Sequence, residues 1–311
     1  MSFSVEGFVA ATFTPFKDNG DVNLDAIDQY QEFLVQQGIQ HVYINGTTGE
    51  GTSLTTDERK LIAEKWKELS LLPGRYMKVL IQVGGTSFKE TCQLAEHAAS
   101  IGADAISTLA PLYLLPQNID ELVDFCRQVA ARAPSVPFYY YHIPDRTGVR
   151  FDMEQFLVRS RHVIPTLRGV KFSSKDLYEG SRCLRTSDAQ GNLFDILFGC
   201  DEQVMSAFVI GFKGAIGSTY SLMAGTYHKL KDALSNGQIQ EARTFQYRSV
   251  DLVKVCCEFG GQAGGIIPAM KVVLSKLGVD IGPPRFPMRP LSDAHQADLL
   301  GRLAEIGFFH W

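Results

Sequence analysis

Short apolar runs alternate with amphipathic segments along the first 220 residues of the chain. The runs are almost continuously apolar, as expected of parallel strands that are covered on both faces. The segment after the first run carries Leu24, Ile27, Tyr30 and Leu34 at helical spacing, and Gly38 ends it. We predict strands over residues 7–15, 39–45, 77–83, 103–109, 137–141, 167–172, 194–198 and 214–217. Eight strands, each followed by a helix, predict an α/β fold of the (β/α)8 TIM-barrel type.

Polar residues at the segment boundaries support this alternation. Helix starts are marked by an N-cap residue with a Glu or Gln three positions later. The pairs are Thr55 with Glu58, Ser87 with Glu90, Asn118 with Glu121, and Asp152 with Gln155. Helices run into strands through glycine at Gly38, Gly102 and Gly211. An open doubly wound sheet is the competing architecture, but no G-x-G-x-x-G follows the first strand.

The pattern changes after Tyr220, where strand-like runs stop. Helical spacing covers residues 224–235, 239–260, 268–277 and 292–306. This tail is too short for a domain with a separate function. We therefore expect residues 1–220 to form the barrel and residues 221–311 to form a helical extension packed on it, the two being one structural unit.

Composition narrows the class of protein. Charged residues make up 21% and hydrophobic residues 45% of the chain, as in an ordinary soluble globular protein. A net charge of −4 without a dense Lys/Arg cluster argues against a nucleic-acid partner, and no apolar run is long enough for a membrane span. The amino terminus lacks the basic start of a secretory signal. The six cysteines form no C-x-x-C pair and no metal-ligand spacing, so we expect a cytoplasmic protein with reduced thiols and no metal.

Lys171 is the strongest candidate for chemistry. Active sites of such barrels lie at the carboxyl ends of the strands, and Lys171 is the one lysine among the predicted strand ends, because Lys78 and Lys213 fall at strand beginnings. Its neighbours Val170 and Phe172 are apolar, which lowers the pKa of an ammonium and favours a nucleophilic amine able to form a Schiff base. The ordinary alternative is a lysine whose stem covers apolar surface while its head reaches water.

Other strand ends offer polar groups. The turn at residues 46–50 contains glycines that allow it to fold tightly. Its backbone N–H groups and the hydroxyls of Thr47 and Thr48 could then bind a carboxylate or a phosphate. A glycine turn without a binding role is an equally good interpretation of this string. Asp201 and Glu202 either complement a helix dipole or accept hydrogen bonds from substrate hydroxyls. A phosphate site at residues 217–218 is only weakly indicated.

The tyrosine-rich run at residues 138–141 adds one more candidate. Alternation along a strand puts Tyr139 and Tyr141 on one face, with Tyr141 nearer the barrel mouth. The adjacent His142 has no second ligand in sequence, so we expect it to be structural.

Five motifs then occur in order: GTTGE at 46–50, YHIP at 141–144, GVKFSS at 169–174, GCDE at 199–202 and GAIGSTY at 214–220. Together they resemble the family of pyruvate-dependent class I aldolases that includes N-acetylneuraminate lyase and dihydrodipicolinate synthase. The resemblance spans nearly the whole chain. The last two motifs and the tyrosine-rich strand are similar to the sialic acid lyase branch, particularly its animal members.

The resemblance implies cleavage of N-acetylneuraminate to N-acetylmannosamine and pyruvate, with no metal or cofactor. Lys171 is the implied Schiff-base residue and Tyr141 the proton-transfer group, while Thr47 and Thr48 hold the carboxylate. The resemblance also implies catalytic roles for Thr48 and Tyr113. The implied contacts of the sugar are Ser173, Gly199, Asp201, Glu202, Gly217 and Ser218. A tyrosine of the Tyr113 type joins the site from a neighbouring subunit in this family, which implies a homo-oligomer, usually a homotetramer.

Two departures are visible. Ser173 stands where the bacterial lyases have threonine, which keeps the hydroxyl. Arg146, after the YHIP motif, resembles dihydrodipicolinate synthase, where an arginine binds the carboxylate of aspartate semialdehyde. Another pyruvate aldolase that uses a carboxylate-bearing aldehyde is therefore the alternative function. A keto-acid sensor and a phosphate-sugar isomerase are more distant alternatives, since Lys171 and Tyr141 are both present and the phosphate cradle is poor.

Overall fold

Eight parallel strands close into a barrel in the order in which they occur in the chain. The computed structural model describes residues 3–263 and 265–311. Closure is made by β1 and β8, in which Gly7 pairs with Gly214 and Ala10 with Gly217. The strands are β1 Gly7–Ala11, β2 His41–Ile44, β3 Lys78–Gln82, β4 Ala105–Leu109, β5 Phe138–His142, β6 Leu167–Phe172, β7 Asp195–Phe198 and β8 Gly214–Gly217. The predicted (β/α)8 barrel is confirmed.

Helices follow the strands and surround them. In chain order they are α1 Ala26–Gln36, α2 Thr56–Ser70, α3 Phe88–Ser100, α4 Ile119–Ala130, α5 Pro144–Thr147, α6 Met153–Ser160, α7 Leu177–Cys183, α8 Val204–Ile210, α9 Tyr220–Ser235, α10 Ile239–Ala263, α11 Ile267–Lys276 and α12 Asp293–Glu305. Short 3-10 turns lie at Gly51–Ser53, Asp201–Gln203 and Phe308–His310. Within the described part of the chain, no helix is both long and apolar enough to cross a membrane.

Alternation along each strand divides the core in two. Outward-facing residues such as Val42 and Tyr140 pack beneath the helices. Inward-facing residues such as Tyr43, Tyr139 and Tyr141 fill the barrel interior. The expected placement of Tyr139 and Tyr141 on one face is therefore confirmed.

Most predicted boundaries agree with the structure within a few residues, and the bounds of β6 and β8 agree fully. The first strand is the largest discrepancy, because it ends at Ala11 rather than at residue 15. The Thr12 N–H still bonds the Tyr43 carbonyl at 3.1 Å, but the chain then turns away and the Phe16 N–H bonds the carbonyl of Ile281 at 3.0 Å. The short helix α5 was not predicted from the sequence.

The predicted helix ends are largely confirmed. Thr55 and Glu58 form a capping box, with bonds of 3.2 and 2.8 Å. Ser87 caps α3 by accepting a bond of 3.4 Å from the Glu90 N–H. Gly38, Gly102 and Gly211 end helices at φ values of 77°, 72° and 115°, which side chains strongly disfavour.

The C-terminal segment contacts a loop and a helix of the preceding part of the chain through buried and partly buried polar groups. Lys271 of α11 donates to the carbonyl of Thr14 at 2.8 Å, and Arg285 pairs with Glu58 at 2.6 Å. Helix α9 begins at Tyr220, earlier than the predicted residue 224, because a short helical piece precedes a kink at Met223 (φ −149°) and the predicted helix follows it. The division into residues 1–220 and 221–311 remains a prediction about organisation.

Candidate active site

Lys171 lies at the mouth end of β6 with only 4% of its surface exposed. Its Nζ atom is 4.0 Å from the ring centroid of Tyr43 and 3.8 Å from that of Tyr141. Burial lowers the pKa of the ammonium, while the nearby Tyr141 and Asp201 act in the opposite direction. The lysine predicted to be a nucleophile is thus buried against aromatic rings, in a setting that favours its neutral amine.

A cavity of about 310 Å³ opens above this lysine at the carboxyl ends of the strands. It brings together every site residue predicted from the sequence except Tyr113. The predicted residues that line it are Thr47, Thr48, Tyr141, Lys171, Ser173, Gly199, Asp201, Glu202, Gly217 and Ser218. Arg146 also lines it. These residues come from separate strand ends, so their convergence is produced by barrel closure.

The turn at residues 46–50 folds tightly at one side of the cavity. Its bonds run from the Glu50 N–H to the Thr47 carbonyl and from the Gly51 N–H to the Gly46 carbonyl, each at 3.0 Å. Neither the Thr47 nor the Thr48 N–H has an acceptor among the described residues. These groups are therefore available to an anionic group of a ligand, as a carboxylate requires.

The hydroxyls of this turn join it to other strands. Thr47 Oγ1 is 3.2 Å from the Tyr141 hydroxyl, and Thr48 Oγ1 is 2.6 Å from Ser218 Oγ. Tyr141 also packs edge-on against Tyr43, with ring centroids 5.9 Å apart. A bound carboxylate, the Tyr141 hydroxyl and the Lys171 amine would consequently share one small region.

Asp201 and Glu202 line the part of the cavity that follows β7. Asp201 is buried, and its Oδ2 atom accepts hydrogen bonds from the Thr219 N–H at 2.9 Å and hydroxyl at 2.6 Å. Burial raises the pKa of Asp201 to about 6. Glu202 is partly exposed and pairs with Lys175 at 3.2 Å. The Asp201 carboxylate therefore accepts hydrogen bonds from Thr219, which follows β8, and not from the N–H groups of the helical turn in which Asp201 lies.

Two glycines allow side chains of the site to approach the backbone closely. A side chain at Gly199 would overlap Ser173 Oγ, and one at Gly217 would overlap the carboxylate of Asp201. The positions of Ser173 and Asp201 at the cavity therefore require glycine at both places.

Tyr113 lies elsewhere. It is 95% exposed, adopts a left-handed φ of 69°, and does not line the cavity of its own chain. Its expected contribution to a neighbouring subunit's site remains a prediction.

Tyr43 and Thr219 were not predicted from the sequence as residues of the site. Tyr43 alternates with Val42 and Ile44, so the face of β2 could have been read from its pattern. Residues of the C-terminal segment also line the cavity, namely Val253, Ile266, Ile267 and Met270. No local signal places them there. Among the described residues, no group of three or more His, Cys, Asp or Glu side chains is arranged to hold a metal ion.

Comparison with known proteins agrees with the motifs. The chain is 40% identical to N-acetylneuraminate lyase of Gallus gallus over 97% of its length and 96% of that protein. It is 37% identical to the lyase of Rattus norvegicus, with 98% and 93% covered. The solved structure of Proteus mirabilis N-acetylneuraminate lyase superposes with a TM-score of 0.91 at 37% identity, covering 98% of this chain and all of that one. The model of the dihydrodipicolinate synthetase family matches residues 4–306, and the chain therefore belongs to that family.

Proposed function

We propose that the chain is a Schiff-base aldolase that reversibly cleaves N-acetylneuraminate to N-acetylmannosamine and pyruvate. The observation that carries this proposal is the buried Lys171, held against the rings of Tyr43 and Tyr141 in a cavity that also brings polar side chains together. The names of the relatives from Gallus gallus and Proteus mirabilis support the choice of substrate.

In the first step the neutral Lys171 amine adds to the keto carbon C2 of the substrate, and loss of water gives an iminium ion. The substrate carboxylate, next to C2, binds at the Thr47 and Thr48 N–H groups. This holds the keto carbon over the amine, so that the reaction becomes effectively unimolecular. Burial against aromatic rings assists, because it disfavours the protonated amine that cannot attack.

In the second step the C3–C4 bond breaks and its electron pair moves to C3, giving an enamine as the iminium charge is neutralised. The C4 hydroxyl loses its proton and C4 becomes the aldehyde of N-acetylmannosamine. Tyr141 takes this proton as the phenolate that remains after its hydroxyl has protonated the C2 hydroxyl, which departs as water in the first step, and Thr47 lies beside the Tyr141 oxygen. Protonation of the enamine at C3 and hydrolysis by water then release pyruvate and regenerate the amine.

Recognition of the sugar falls to the other side of the cavity. We assign Asp201, Glu202 and Ser218 to its hydroxyl chain, with Gly199 and Gly217 as the backbone surface beneath it. Ser173 is assigned to the hydroxyl near the cleaved bond. A site that hydrogen-bonds several hydroxyls rejects substrates that lack them, because its buried polar groups would then be unpaired.

A second candidate function rests on Arg146. This residue lines the cavity, and among the described residues its guanidinium has no ion-pair partner. An aldehyde that carries a carboxylate, such as aspartate semialdehyde, would suit it. Lys171 would form the same iminium with pyruvate in that case, so the two functions differ in the acceptor aldehyde alone.

We further propose a homotetramer in which Tyr113 enters the site of a neighbouring subunit, and a cytoplasmic location. The exposed, left-handed Tyr113 supports the first of these proposals.

Pyruvate release from N-acetylneuraminate tests the function. The unmodified protein should release pyruvate, and borohydride added with pyruvate should leave a covalent adduct on Lys171, detected by peptide mass spectrometry. Lys171→Ala should lose both. An adduct on Lys171 without cleavage of N-acetylneuraminate would favour the Arg146 function, to be tested with pyruvate and aspartate semialdehyde. Full lyase activity in Lys171→Ala would overturn both.

A further inference from the structure

A chain of buried hydroxyls begins behind the cavity at Asp201. Thr219 Oγ1, which donates to Asp201 Oδ2, is also 2.5 Å from the Tyr227 hydroxyl. The Tyr227 hydroxyl is in turn 2.7 Å from Ser249 Oγ. Thr219, Tyr227 and Ser249 are all fully buried.

The chain of hydroxyls returns to the residue at which it began. Ser249 Oγ donates to the backbone carbonyl of Asp201 at 3.2 Å, and Gln246 donates to the same carbonyl at 3.2 Å. Both the carboxylate and the backbone of Asp201 are therefore fixed by one connected network. Its other parts come from the residues between β8 and α9, from α9 and from α10.

One oxygen of the Asp201 carboxylate is buried at the cavity wall without a partner in the described structure. Asp201 lines the cavity, and its Oδ1 atom has no hydrogen-bond partner among the described residues, while Oδ2 is occupied by Thr219. The Tyr220 hydroxyl, which is also buried and unpartnered within the described part of the chain, lies near the same carboxylate. The carboxylate also lies against Gly217, where a side chain would overlap it. Its rotation about the side-chain bonds is thus restricted from two directions.

We infer that Tyr227 is a positioning residue that fixes the free oxygen of Asp201 for the hydroxylated part of the substrate. The inference rests on the proposed function, because it takes a hydroxylated acceptor aldehyde as the ligand. Tyr227 does not line the cavity, so it would not contact a substrate bound there. Tyr227 contacts Thr219, which bonds the Asp201 carboxylate, and it thereby connects Asp201 to helices α9 and α10.

Burying a hydroxyl costs free energy unless it is hydrogen-bonded. Apolar side chains at the contact between α9 and α10 would avoid this desolvation cost if the contact were purely structural. The Tyr227 hydroxyl instead joins Thr219 to Ser249, and each of these contacts Asp201. The groups that hold pyruvate, Lys171 and the turn at 46–50, are outside this network. The effect of Tyr227 should consequently be confined to the sugar side.

The synthetic direction separates the two sides, because pyruvate and N-acetylmannosamine bind there as separate substrates. In Tyr227→Phe we expect the KM for N-acetylmannosamine to rise by roughly 3- to 10-fold, the loss expected for one buried hydrogen bond. The KM for pyruvate and the rate of borohydride trapping with pyruvate should stay within about twofold, since those steps depend on other residues.

Tyr30→Phe is the matched control. Tyr30 is also fully buried, and its hydroxyl bonds the Ser221 hydroxyl at 2.8 Å, outside the cavity. It should leave both KM values unchanged. Ser249→Ala removes the next hydroxyl of the chain and should reproduce the Tyr227→Phe effect. The effects of the two substitutions should not add in the double variant, because Tyr227 and Ser249 are hydrogen-bonded to each other in one network around Asp201.

Equal KM values for N-acetylmannosamine in Tyr227→Phe, Ser249→Ala and the unmodified protein would overturn the inference. So would equal increases for both substrates, which indicate general loosening of the site. These results differ from a failure of the proposed function, in which the unmodified protein itself would not join pyruvate to N-acetylmannosamine.

Discussion

The Lys271 ammonium lies 2.9 Å from Glu50 Oε1, and the two side chains are 2% and 0% exposed. Lys271 also donates to the carbonyls of Thr14 at 2.8 Å and Pro283 at 2.9 Å. The other Glu50 oxygen accepts a bond of 2.8 Å from the Arg285 N–H. A helix of the C-terminal segment thereby neutralises a charge on the turn that we assign to the substrate carboxylate.

Breaking this pair should destabilise the protein and loosen the turn. Lys271→Met leaves the Glu50 carboxylate buried without a counter-charge, and we expect a loss of about 3–5 kcal/mol in the free energy of unfolding. The KM for pyruvate should rise as well, since Thr48 lies two residues before Glu50. Urea unfolding at neutral pH and steady-state kinetics measure the two effects.

Arg159→Ala is the control for that variant. Arg159 pairs with Asp120 at 2.6 Å, but their side chains are 45% and 72% exposed, so its removal should cost less than about 1 kcal/mol. If Lys271→Met proves as stable as Arg159→Ala, the loss of Lys271 does not leave a costly unpaired charge on Glu50, and the prediction is wrong. Adding Glu50→Gln to Lys271→Met should recover part of the loss, because no unpaired charge is then buried.

Gly199→Ala should impair the site with little effect on the fold. The added methyl group would overlap Ser173 Oγ and approach the Ser173 Cβ atom at 2.9 Å. Ser173 must then move, and we expect kcat/KM for cleavage to fall about 10- to 100-fold, as for comparable displacements of catalytic-site groups. In Gly225→Ala of α9 no atom lies within 4 Å of the new methyl group, so activity should be unchanged. Equal kcat/KM in the two variants would contradict the assignment of Gly199 to the site.

His142 should make the protein less stable in mild acid. It is buried and stacks on Phe172 with ring centroids 5.5 Å apart. Burial lowers its pKa from 6.5 to about 4, Arg150 acts in the same direction and Asp145 opposes them. Between these pH values the unfolded chain binds a proton that the folded protein does not. The free energy of unfolding therefore falls as the pH drops from 6.5 towards 4, and above pH 6.5 this contribution is constant.

His142→Phe removes the group that binds this proton in the unfolded chain and keeps an aromatic ring against Phe172. Between pH 6.5 and 4 the free energy of unfolding should fall less steeply in the variant than in the unmodified protein. The two slopes should differ by up to about 1.4 kcal/mol per pH unit. The difference between the two proteins should be constant above pH 7. Urea unfolding at several pH values measures this, and parallel curves throughout the acidic range would show that His142 does not titrate as described.

The barrel was predictable because its signals are local. Gly38, Gly102 and Gly211 end helices by adopting positive φ, and the bounds of β6 follow from one apolar run. The position of Lys171 at a strand end was sufficient to place it at the mouth, since all parallel strands of a barrel end on the same side.

Relationships between distant segments could not be predicted in the same way. The sequence contains nothing that pairs Asp201 with Thr219, or Glu50 with Lys271, because such contacts depend on how helices and turns dock. The same holds for Val253 and Met270, which line the cavity from the C-terminal segment. Tyr43 is intermediate, because its inward face follows from alternation but its contact with Lys171 follows from the neighbouring strands.

Tyr113 provides the sharpest test of assembly. A bulky residue at φ 69° with 95% of its surface exposed is unusual, and such backbone strain is typically found at functional positions. If its hydroxyl completes a neighbouring site, Tyr113→Phe should lower kcat by about 100-fold, a typical contribution of a proton-transfer group. Native mass spectrometry should show an unchanged oligomer.

Mixing inactive variants then distinguishes a shared site from a local one. Lys171→Ala and Tyr113→Phe subunits, unfolded and refolded together, should recover activity, because a mixed pair contains one site with the lysine of one chain and the tyrosine of the other. With random pairing, about one quarter of all sites should be complete, and the activity should approach that fraction of the unmodified protein's. Refolding each variant alone is the control. If the mixture is no more active than the sum of the two variants, Tyr113 does not act across subunits.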